Sequence, residues 1–384
     1  MQDVLFWLAA INLAIVVVIS AFLVIGGRTI AHLRDFPADA DGPLPKVSLI
    51  VAARNEEKNI EAALRSLLRL DYPDLEITIV DDRSTDRTGE ILDAMARDQP
   101  RLNVVHLTEL RPGWLGKNHA LQFGADRSHG EWLLFTDADV VFEPTTLRRA
   151  IAFVLPRGID HLTLTPETKM PTWLLQSFVV TFALFFSIFM RPWKVRDPKS
   201  AAHIGVGAFN LLRAAAYRQM GGHAPLAMRP DDDIKLGKLV KLNGFRQEVL
   251  NGIGLTEVPW YGSVRELLVG LEKNTFAVLE YSVLATLGSV ASILLFDVFP
   301  FLAPFVTTGA TRGMYVATAL LLWLMAWGAA IGIKAPWSCA LGFPLGAFLF
   351  AVIQLRSMFL TLKNGGIRWR DTHYPLAELR ANRL

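Results

Sequence analysis

The stretch Glu131-Trp132-Leu133-Leu134-Phe135-Thr136-Asp137-Ala138-Asp139 decides the fold. Its apolar run reads as a buried strand, and it passes directly into two carboxylates that flank one small residue. Working toward the N-terminus, Lys117 to about Ser128 reads as a helix and Asn103–Leu107 as a strand. Thr88 to about Arg97 reads as a helix, and Glu76–Val80 as a strand ending in Asp81-Asp82-Arg83-Ser84-Thr85-Asp86. Asn59 to Leu70 carries Ile60, Leu64, Leu67 and Leu68 at helical spacing, after a β-branched strand at Val47–Val51. Strands and helices alternating at this spacing predict a doubly wound α/β domain with a parallel sheet. In such sheets ligands bind outside the carboxyl ends of the strands, and both acidic clusters fall at that edge.

Composition sets the surroundings of this domain. The chain has 384 residues, 52% apolar and 20% charged, with one Cys and a net charge of +3. It is too apolar for an ordinary soluble enzyme and too charged for a membrane bundle alone, so a soluble domain joined to membrane spans is expected. The apolar content excludes a disordered chain, the single Cys a disulfide framework, and the charge balance shows no nucleic-acid footprint.

Residues 1–27 are expected to be an uncleaved transmembrane anchor, because Val4 to Ile25 carries no charge and no basic n-region precedes it. Arg28, His32 and Arg34 follow it and place that side in the cytoplasm. Residues 28–45 read as a linker and 46–275 as a cytoplasmic α/β domain. Residues 276–362 read as transmembrane helices, with spans near Ser282–Val306, Gly313–Ile333 and Pro336–Leu360, and 363–384 as a basic cytoplasmic tail. A broken or re-entrant pair around Asp297 and Pro300 would reconcile three apolar segments with that tail. Thr172 to Met190 (172–190) is also uncharged, but the acidic motifs lie on both sides of it, so it is expected to be an interfacial or buried helix rather than a crossing.

Each acidic cluster has two readings. Asp137 and Asp139 suit a hard cation, Mg²⁺ or Mn²⁺, shared with substrate phosphates, or else a strand-end turn. Asp81 and Asp82 suit a base N–H or a ribose hydroxyl, while Ser84, Thr85 or Asp86 caps the next helix. Asp231-Asp232-Asp233 begins a helical apolar face that ends at Gly244. Its carboxylates suit the helix dipole, and their mutual repulsion lifts one toward general-base strength.

Taken together, residues 46–275 resemble the family 2 glycosyltransferases with the GT-A fold, a Rossmann-like nucleotide-diphospho-sugar transferase domain. The resemblance rests on Val-Ser-Leu-Ile-Val-Ala-Ala-Arg-Asn-Glu-Glu (47–57), Val-Asp-Asp-Arg-Ser-Thr-Asp (80–86) and Gly-Trp-Leu-Gly-Lys (113–117). It rests also on Phe-Thr-Asp-Ala-Asp (135–139) and on Asp-Asp-x-x-Leu (232–236) before Gly244. It implies that Ala53, Arg54, Glu56, Asp81 and Asp82 hold the base and ribose of a nucleotide-diphospho-sugar, a UDP-sugar foremost. Lys117 would lie near the diphosphate, Asp139 on the metal, and Asp137 on the donor or the metal. Asp233 would be the base that deprotonates the acceptor, with Asp232 beside it in place of the family's Glu. The stretch Gly205–Asn210 resembles the backbone wall near the donor sugar.

A single base opposite a metal-held leaving group implies inversion. The Gln-x-x-Arg-Trp of processive polysaccharide synthases is absent, the region reading Trp260-Tyr261-Gly262-Ser263-Val264-Arg265. The anchor, the C-terminal spans and Gly365-Gly366-Ile367-Arg368-Trp369-Arg370 are similar to bacterial carotenoid, hopanoid and ceramide-type glycosyltransferases. That resemblance implies a hexosyltransferase in the cytoplasmic (inner) membrane that acts on a lipid acceptor held in the bilayer. Trp260 and Lys273 are candidates for the acceptor side. The alternative is a polysaccharide synthase-type enzyme building an extracellular or cell-wall glycan.

Overall fold

A computed structural model of the chain describes residues 2–39 and 42–384. It divides into two compact units. One comprises the N-terminal helix together with Thr168–Arg191 and Trp260–Arg380, and the other Ile30–Glu167, Pro192–Pro259 and Ala381–Leu384.

In chain order the elements used below are α1 (Gln2–Gly27), β1 (Val47–Ala53), α2 (Ile60–Leu68), β2 (Leu75–Asp82), α3 (Thr88–Ala96), β3 (Leu102–Leu107), α4 (Gly116–Asp126) and β4 (Trp132–Asp137). There follow β5 (Val141–Phe142), α5 (Thr146–Val154), β6 (His161–Thr165), β7 (Glu167–Lys169), α6 (Trp173–Met190), β8 (Asn210–Arg213), α7 (Ala214–Gln219), α8 (Asp232–Leu242), β9 (Gln247–Asn251) and β10 (Thr256–Pro259).

The α/β unit is built on a seven-stranded sheet in the order β3-β2-β1-β4-β8-β6-β9. The pairs β1–β2, β1–β4, β2–β3 and β6–β9 are parallel, as expected for strands joined through helices. Both faces of the central strands are buried, and alternation along each strand feeds two separate cores. Leu49 and Val51 of β1 and Trp132 and Leu134 of β4 pack into one cluster. Ile50, Leu133 and Phe135, the intervening residues, pack into the other with Leu121 of α4 and Leu236 of α8. Truncating a fully buried residue such as Ile50 to Ala would cost about 2–5 kcal/mol.

One strand departs from the expectation of an all-parallel sheet. Asn210–Arg213, β8, inserts antiparallel between β4 and β6. It has only four residues and follows a glycine-containing loop, so it carries no periodic signal of its own.

In the helical unit, five helices among the described residues are long and apolar enough to cross a membrane by length and composition: Asp3–Gly27, Trp173–Lys194, Val283–Phe305, Gly309–Gly332 and Trp337–Lys363. Residues 172–190 are expected to be an interfacial or buried helix belonging to residues 46–275. In the structure Thr168–Arg191 and everything from Trp260 to Arg380 group with the helices instead. Small residues explain this packing. A Cβ on Gly342 would overlap Ser177 of α6, and one on Gly346 would overlap Thr181. Glycine at both points lets the backbones approach closely. Nor is the segment around Asp297 a broken pair. Val283–Ser292 continues through a π-helical stretch, Ile293–Val298, into Phe299–Leu302. Pro300 follows that stretch, and its missing N–H removes one i→i−4 bond of the continuing helix, which fits the switch to π-helical winding just before it.

Candidate active site

The pairing register brings the acidic clusters to one edge. Ala53 is opposite Asp81 across β1–β2, and Ala52 is opposite Asp137 across β1–β4. The loops leaving β1, β2 and β4 therefore start side by side at the carboxyl end of the sheet. They are stitched together: the Asn55 N–H donates to Ser84 Oγ (3.0 Å), and the Thr85 N–H donates to Asn55 Oδ1 (2.8 Å). Asn55 adopts a left-handed φ of 54°, which Asn tolerates better than most residues. The Glu56 N–H donates to Thr88 Oγ1 at 2.8 Å. The N-cap of α3 is Arg87, whose side chain makes no capping bond, rather than Ser84, Thr85 or Asp86; Asp86 just before it accepts from Thr88 N–H (3.0 Å), and its other oxygen accepts from Glu57 N–H (3.2 Å).

Asp81 and Asp82 are both buried but differ in their partners. Asp81 Oδ2 lies 2.8 Å from His106 Nδ1, whose Nε2 lies 3.0 Å from Asp93 Oδ1. Hydrogen bonds to Asp93 and then Asp81 raise the His106 imidazole above its ordinary value, against some loss from burial. Asp82 is clamped by Arg83, with Nε on Oδ1 (2.7 Å) and Nη2 on Oδ2 (3.0 Å), and Arg54 Nη1 lies 3.5 Å away. Gly116, at the start of α4, faces the same carboxylate so closely that a Cβ there would overlap Oδ2. Glycine is required at that contact.

Lys117 bridges two of the carboxylates. Its Nζ lies 2.8 Å from Asp137 Oδ1 and 3.4 Å from Asp232 Oδ2. Burial alone would lower the ammonium, but Asp137, Asp232 and Asp233 more than reverse that, so it stays protonated. Asp139, half-buried, is pushed up to about 7, first by burial and then by repulsion from Asp137 and Glu56. Asp137 and Asp139 supply two hard oxygen donors. Among the described residues no group of three or more His, Cys, Asp or Glu side chains converges as a metal site.

The three adjacent acids at the start of α8 have separate partners. Asp231 forms a bidentate pair with Arg229 (2.8 Å at both contacts), and the two residues are 3% and 1% exposed. Asp232 faces Lys117. Asp233 is held by backbone: its Oδ2 accepts from the Gly207 N–H (2.9 Å) and its Oδ1 from the Ile234 N–H (2.8 Å). Burial raises the Asp233 carboxyl, which Lys117 partly offsets. Lys117, Asp137, Gly207, Asp232 and Asp233 line one small cleft. Asn118 anchors the approach to α8, donating to the carbonyls of Leu226 (2.7 Å) and Arg229 (2.9 Å).

Ala53, Arg54, Glu56, Asp81, Asp82, Lys117, Asp137, Asp139, Asp232 and Asp233 all belong to the α/β unit, whereas Trp260 and Lys273 belong to the helical unit. There Trp260 packs edge-on against Phe182 (5.1 Å between centroids), and Lys273 Nζ lies 3.6 Å over the Trp369 ring. Sequence reasoning missed Asn55, His106, Arg229 and the individual role of Gly207. Arg229, two residues before an acidic run, is the one of these with a visible signal, as a ready partner for one of the three carboxylates.

Residues 48–220 match the family model described as glycosyl transferase family 2. A beta-monoglucosyldiacylglycerol synthase of Nostoc sp. is 36% identical over 115 residues, 29% of this chain and 24% of that protein. A 4,4'-diaponeurosporenoate glycosyltransferase of Staphylococcus aureus is 24% identical over 258 residues, 65% of this chain and 68% of that protein. Against relatives such as the Nostoc protein, the matched region spans only about a quarter of the relative's length. Among solved structures, a mannosyltransferase of Pyrobaculum calidifontis, determined in complex with GDP-Man and Mn2+, superposes with a TM-score of 0.56 at 19% identity. That superposition covers 94% of this chain and 98% of that one, and it shows the shared GT-A fold.

Proposed function

From the premise that residues 48–220 form a glycosyl transferase family 2 domain, we propose that the chain transfers a hexose from a nucleotide-diphospho-sugar to a hydroxyl of a membrane lipid, with inversion at the anomeric carbon. The observation that carries this reading is the division of labour at α8. Asp231 is neutralised by Arg229 and Asp232 faces Lys117, while Asp233 turns its carboxylate to two backbone N–H groups at the edge of the cleft. A carboxylate so placed, raised by burial, suits a general base for an acceptor hydroxyl. One base and no second carboxylate in the role of nucleophile give a single displacement, hence inversion.

In this reading Arg54, Glu56, Asp81 and Asp82, at the end of β1 and β2 beside Ala53, hold the nucleoside, a UDP-sugar being the first donor to test. Lys117 holds negative charge on the diphosphate. Asp137 and Asp139 fit Mg²⁺ or Mn²⁺ by their chemistry. Both are hard oxygen donors, and Asp139, lifted first by burial and then by repulsion from Asp137 and Glu56, is a group whose repulsion a cation would relieve; phosphate oxygens and water would supply further donors. The metal, when bound, neutralises charge developing on the leaving diphosphate.

The lipid acceptor is supported by the relatives named for a glucosyldiacylglycerol and for diaponeurosporenoate, and by the five apolar helices. Basic residues after α1 favour a cytoplasmic α/β unit anchored in the inner membrane. Both ends of α6 join that unit, as do Pro259 and Ala381. A compact unit lies on one side of a bilayer. In this reading α6 starts and finishes on the same side, and of the three long apolar helices between Pro259 and Ala381 an even number cross.

The test uses the full chain in nanodiscs made from a total bacterial lipid extract, with UDP-glucose or GDP-mannose and MnCl₂. A lipid carrying one sugar is expected, and chelation with EDTA should abolish it. Asp233→Asn should lose transfer while calorimetry shows donor binding intact. Transfer at the parental rate by Asp233→Asn would overturn the base assignment, and a polymeric product would overturn the lipid acceptor.

A further inference from the structure

Behind the cleft lies a polar network that the transfer reaction does not itself require. His161 on β6, Asn210 on β8 and Gln247 on β9 are 0%, 3% and 4% exposed. The sheet register sets His161 opposite Gln247. Buried polar groups of this kind are stabilising only when every donor and acceptor is satisfied.

Here the satisfaction is complete enough to locate a proton. Gln247 Oε1 accepts from the Ile204 N–H (3.1 Å), and its Nε2 donates to the Gly237 carbonyl (3.1 Å). Those two backbone groups fix the amide's orientation, because reversing it would set oxygen against oxygen. The amide nitrogen also lies 2.7 Å from His161 Nδ1, and since it can only donate, Nδ1 accepts. The imidazole proton is then on Nε2, which donates to Asn210 Oδ1 at 3.1 Å. Asn210 is oriented the same way, its Nδ2 donating to the Val206 carbonyl (2.9 Å) and its Oδ1 accepting from the Val206 N–H (3.3 Å). Thr163 Oγ1 accepts from that N–H as well (3.1 Å). Burial pushes the His161 imidazole down to about 4, so the ring is neutral at pH 7.

The backbone this network grips is the loop that holds Asp233. Ile204 and Val206 are pinned on one side. The next residue, Gly207, gives its N–H to Asp233 Oδ2 and its carbonyl to the Asp137 N–H (3.0 Å). On the other side the loop lies directly on α8. A Cβ at Gly205 would overlap the Asp233 carbonyl, and one at Gly237 would overlap the Ile204 carbonyl.

We infer that His161, Asn210 and Gln247 are positioning residues that hold loop 204–207, and through the Gly207 N–H the Asp233 carboxylate, in catalytic register, with His161 acting as the neutral Nε2–H tautomer. The inference rests on the reading of Asp233 as the base. It predicts a defect in the chemical step rather than in donor binding. A misplacement on the order of 1 Å costs about 100-fold in rate.

The test is made on the full chain in nanodiscs, following transfer to a total bacterial lipid extract with UDP-glucose or GDP-mannose, whichever the parent uses, and donor affinity by calorimetry. His161→Phe keeps the ring and removes both polar atoms. It should lower kcat about 100-fold while leaving the donor Kd within about threefold. His161→Gln keeps one donor and one acceptor and should recover at least about tenfold of that loss. Folded His161→Phe with parental kcat overturns the inference. If His161→Phe does not fold, Thr163→Val decides. It removes the hydroxyl that accepts from the Val206 N–H and donates to the Phe209 carbonyl, two bonds within the same loop and strand, and should lower kcat about five- to tenfold at unchanged Kd. Parental kcat there overturns the inference too. With selectively ¹⁵N-labelled histidine, the His161 resonance should show an Nε2-bound proton that does not titrate between about pH 5 and 8; an Nδ1-bound proton overturns the assignment. Asp233→Asn is run alongside. If it transfers at the parental rate, the base reading has failed. If it is dead while the His161 and Thr163 variants match the parent, only the positioning role has failed.

Discussion

Gly207→Ala adds one methyl group at the point where the two halves of the site meet. Gly207 touches three parts of it: its N–H holds Asp233, its carbonyl accepts from Asp137 N–H, and its Cα faces the Asp137 carboxylate. A Cβ there would overlap Asp137 Oδ2 and stand 3.1 Å from Cγ and 3.3 Å from Oδ1. Restoring ordinary contacts of about 3.5–4.0 Å moves the carboxylate, or the loop, by about 0.5–1 Å. The φ of Gly207 is not in the left-handed region, so alanine introduces no backbone strain. The stability cost should sit near the low end of overpacking, about 1 kcal/mol, because a carboxylate at the edge of a cleft can rotate away. The catalytic cost should be larger. Asp137 would leave Lys117, or Asp233 would lose its N–H, and about 100-fold in kcat corresponds to about 2.7 kcal/mol of transition-state stabilisation. The assay is transfer to lipid in nanodiscs, with thermal unfolding of the same sample to separate folding from rate. Parental kcat in a folded Gly207→Ala protein would show that the loop does not set the geometry of either carboxylate.

Asp231→Ala should destabilise the α/β unit by about 3–5 kcal/mol in denaturant titration, because it leaves the fully buried Arg229 guanidinium without its bidentate partner; a loss below about 1 kcal/mol would refute the pairing. The His106 imidazole is raised by Asp93 and Asp81, so its stabilisation is fully present below the ordinary histidine value of about 6.5 and is lost as pH rises through the higher folded value. The parent should therefore lose melting temperature relative to His106→Gln as pH rises above about 6.5, and parallel curves would exclude the linkage.

The fold was legible where burial and periodicity agree. The apolar run Trp132–Phe135 ends in Asp137, and the pairings of Ala53 with Asp81 and Ala52 with Asp137 follow once β1, β2 and β4 are parallel neighbours. What stayed hidden depends on tertiary partners. Asn210–Arg213 is too short to announce a strand, and its antiparallel course is decided by what lies on each side of it. For α6, composition alone does not distinguish lipid contact from helix contact. Its neighbour is chosen by Gly342 and Gly346, more than 150 residues downstream of Trp173. His161 begins His-Leu-Thr-Leu-Thr, an alternation whose polar face carries no sign in the sequence that it is buried. Its partners Asn210 and Gln247 arrive from 49 and 86 residues away, and only their joint orientation shows why a histidine is tolerated there.

The acidic run 231–233 shows why sequence could propose a base without singling out its cause. Repulsion among three neighbours suggested that one carboxyl is raised, yet two of the three are held by cations. Arg229 lies two residues upstream and neutralises Asp231, and Lys117 arrives on α4 to face Asp232. Each of those pairs removes a competitor rather than perturbing Asp233 by repulsion. What raises Asp233 is burial first, with Lys117 pulling the other way and Asp137 adding to the rise. Its two backbone hydrogen bonds also favour the charged form, so its environment balances desolvation against three stabilising contacts. A donor diphosphate that drew Lys117 toward itself would weaken one of those contacts and raise the carboxyl further. In the proposed reaction that shift would favour Asp233 taking the proton of an acceptor hydroxyl.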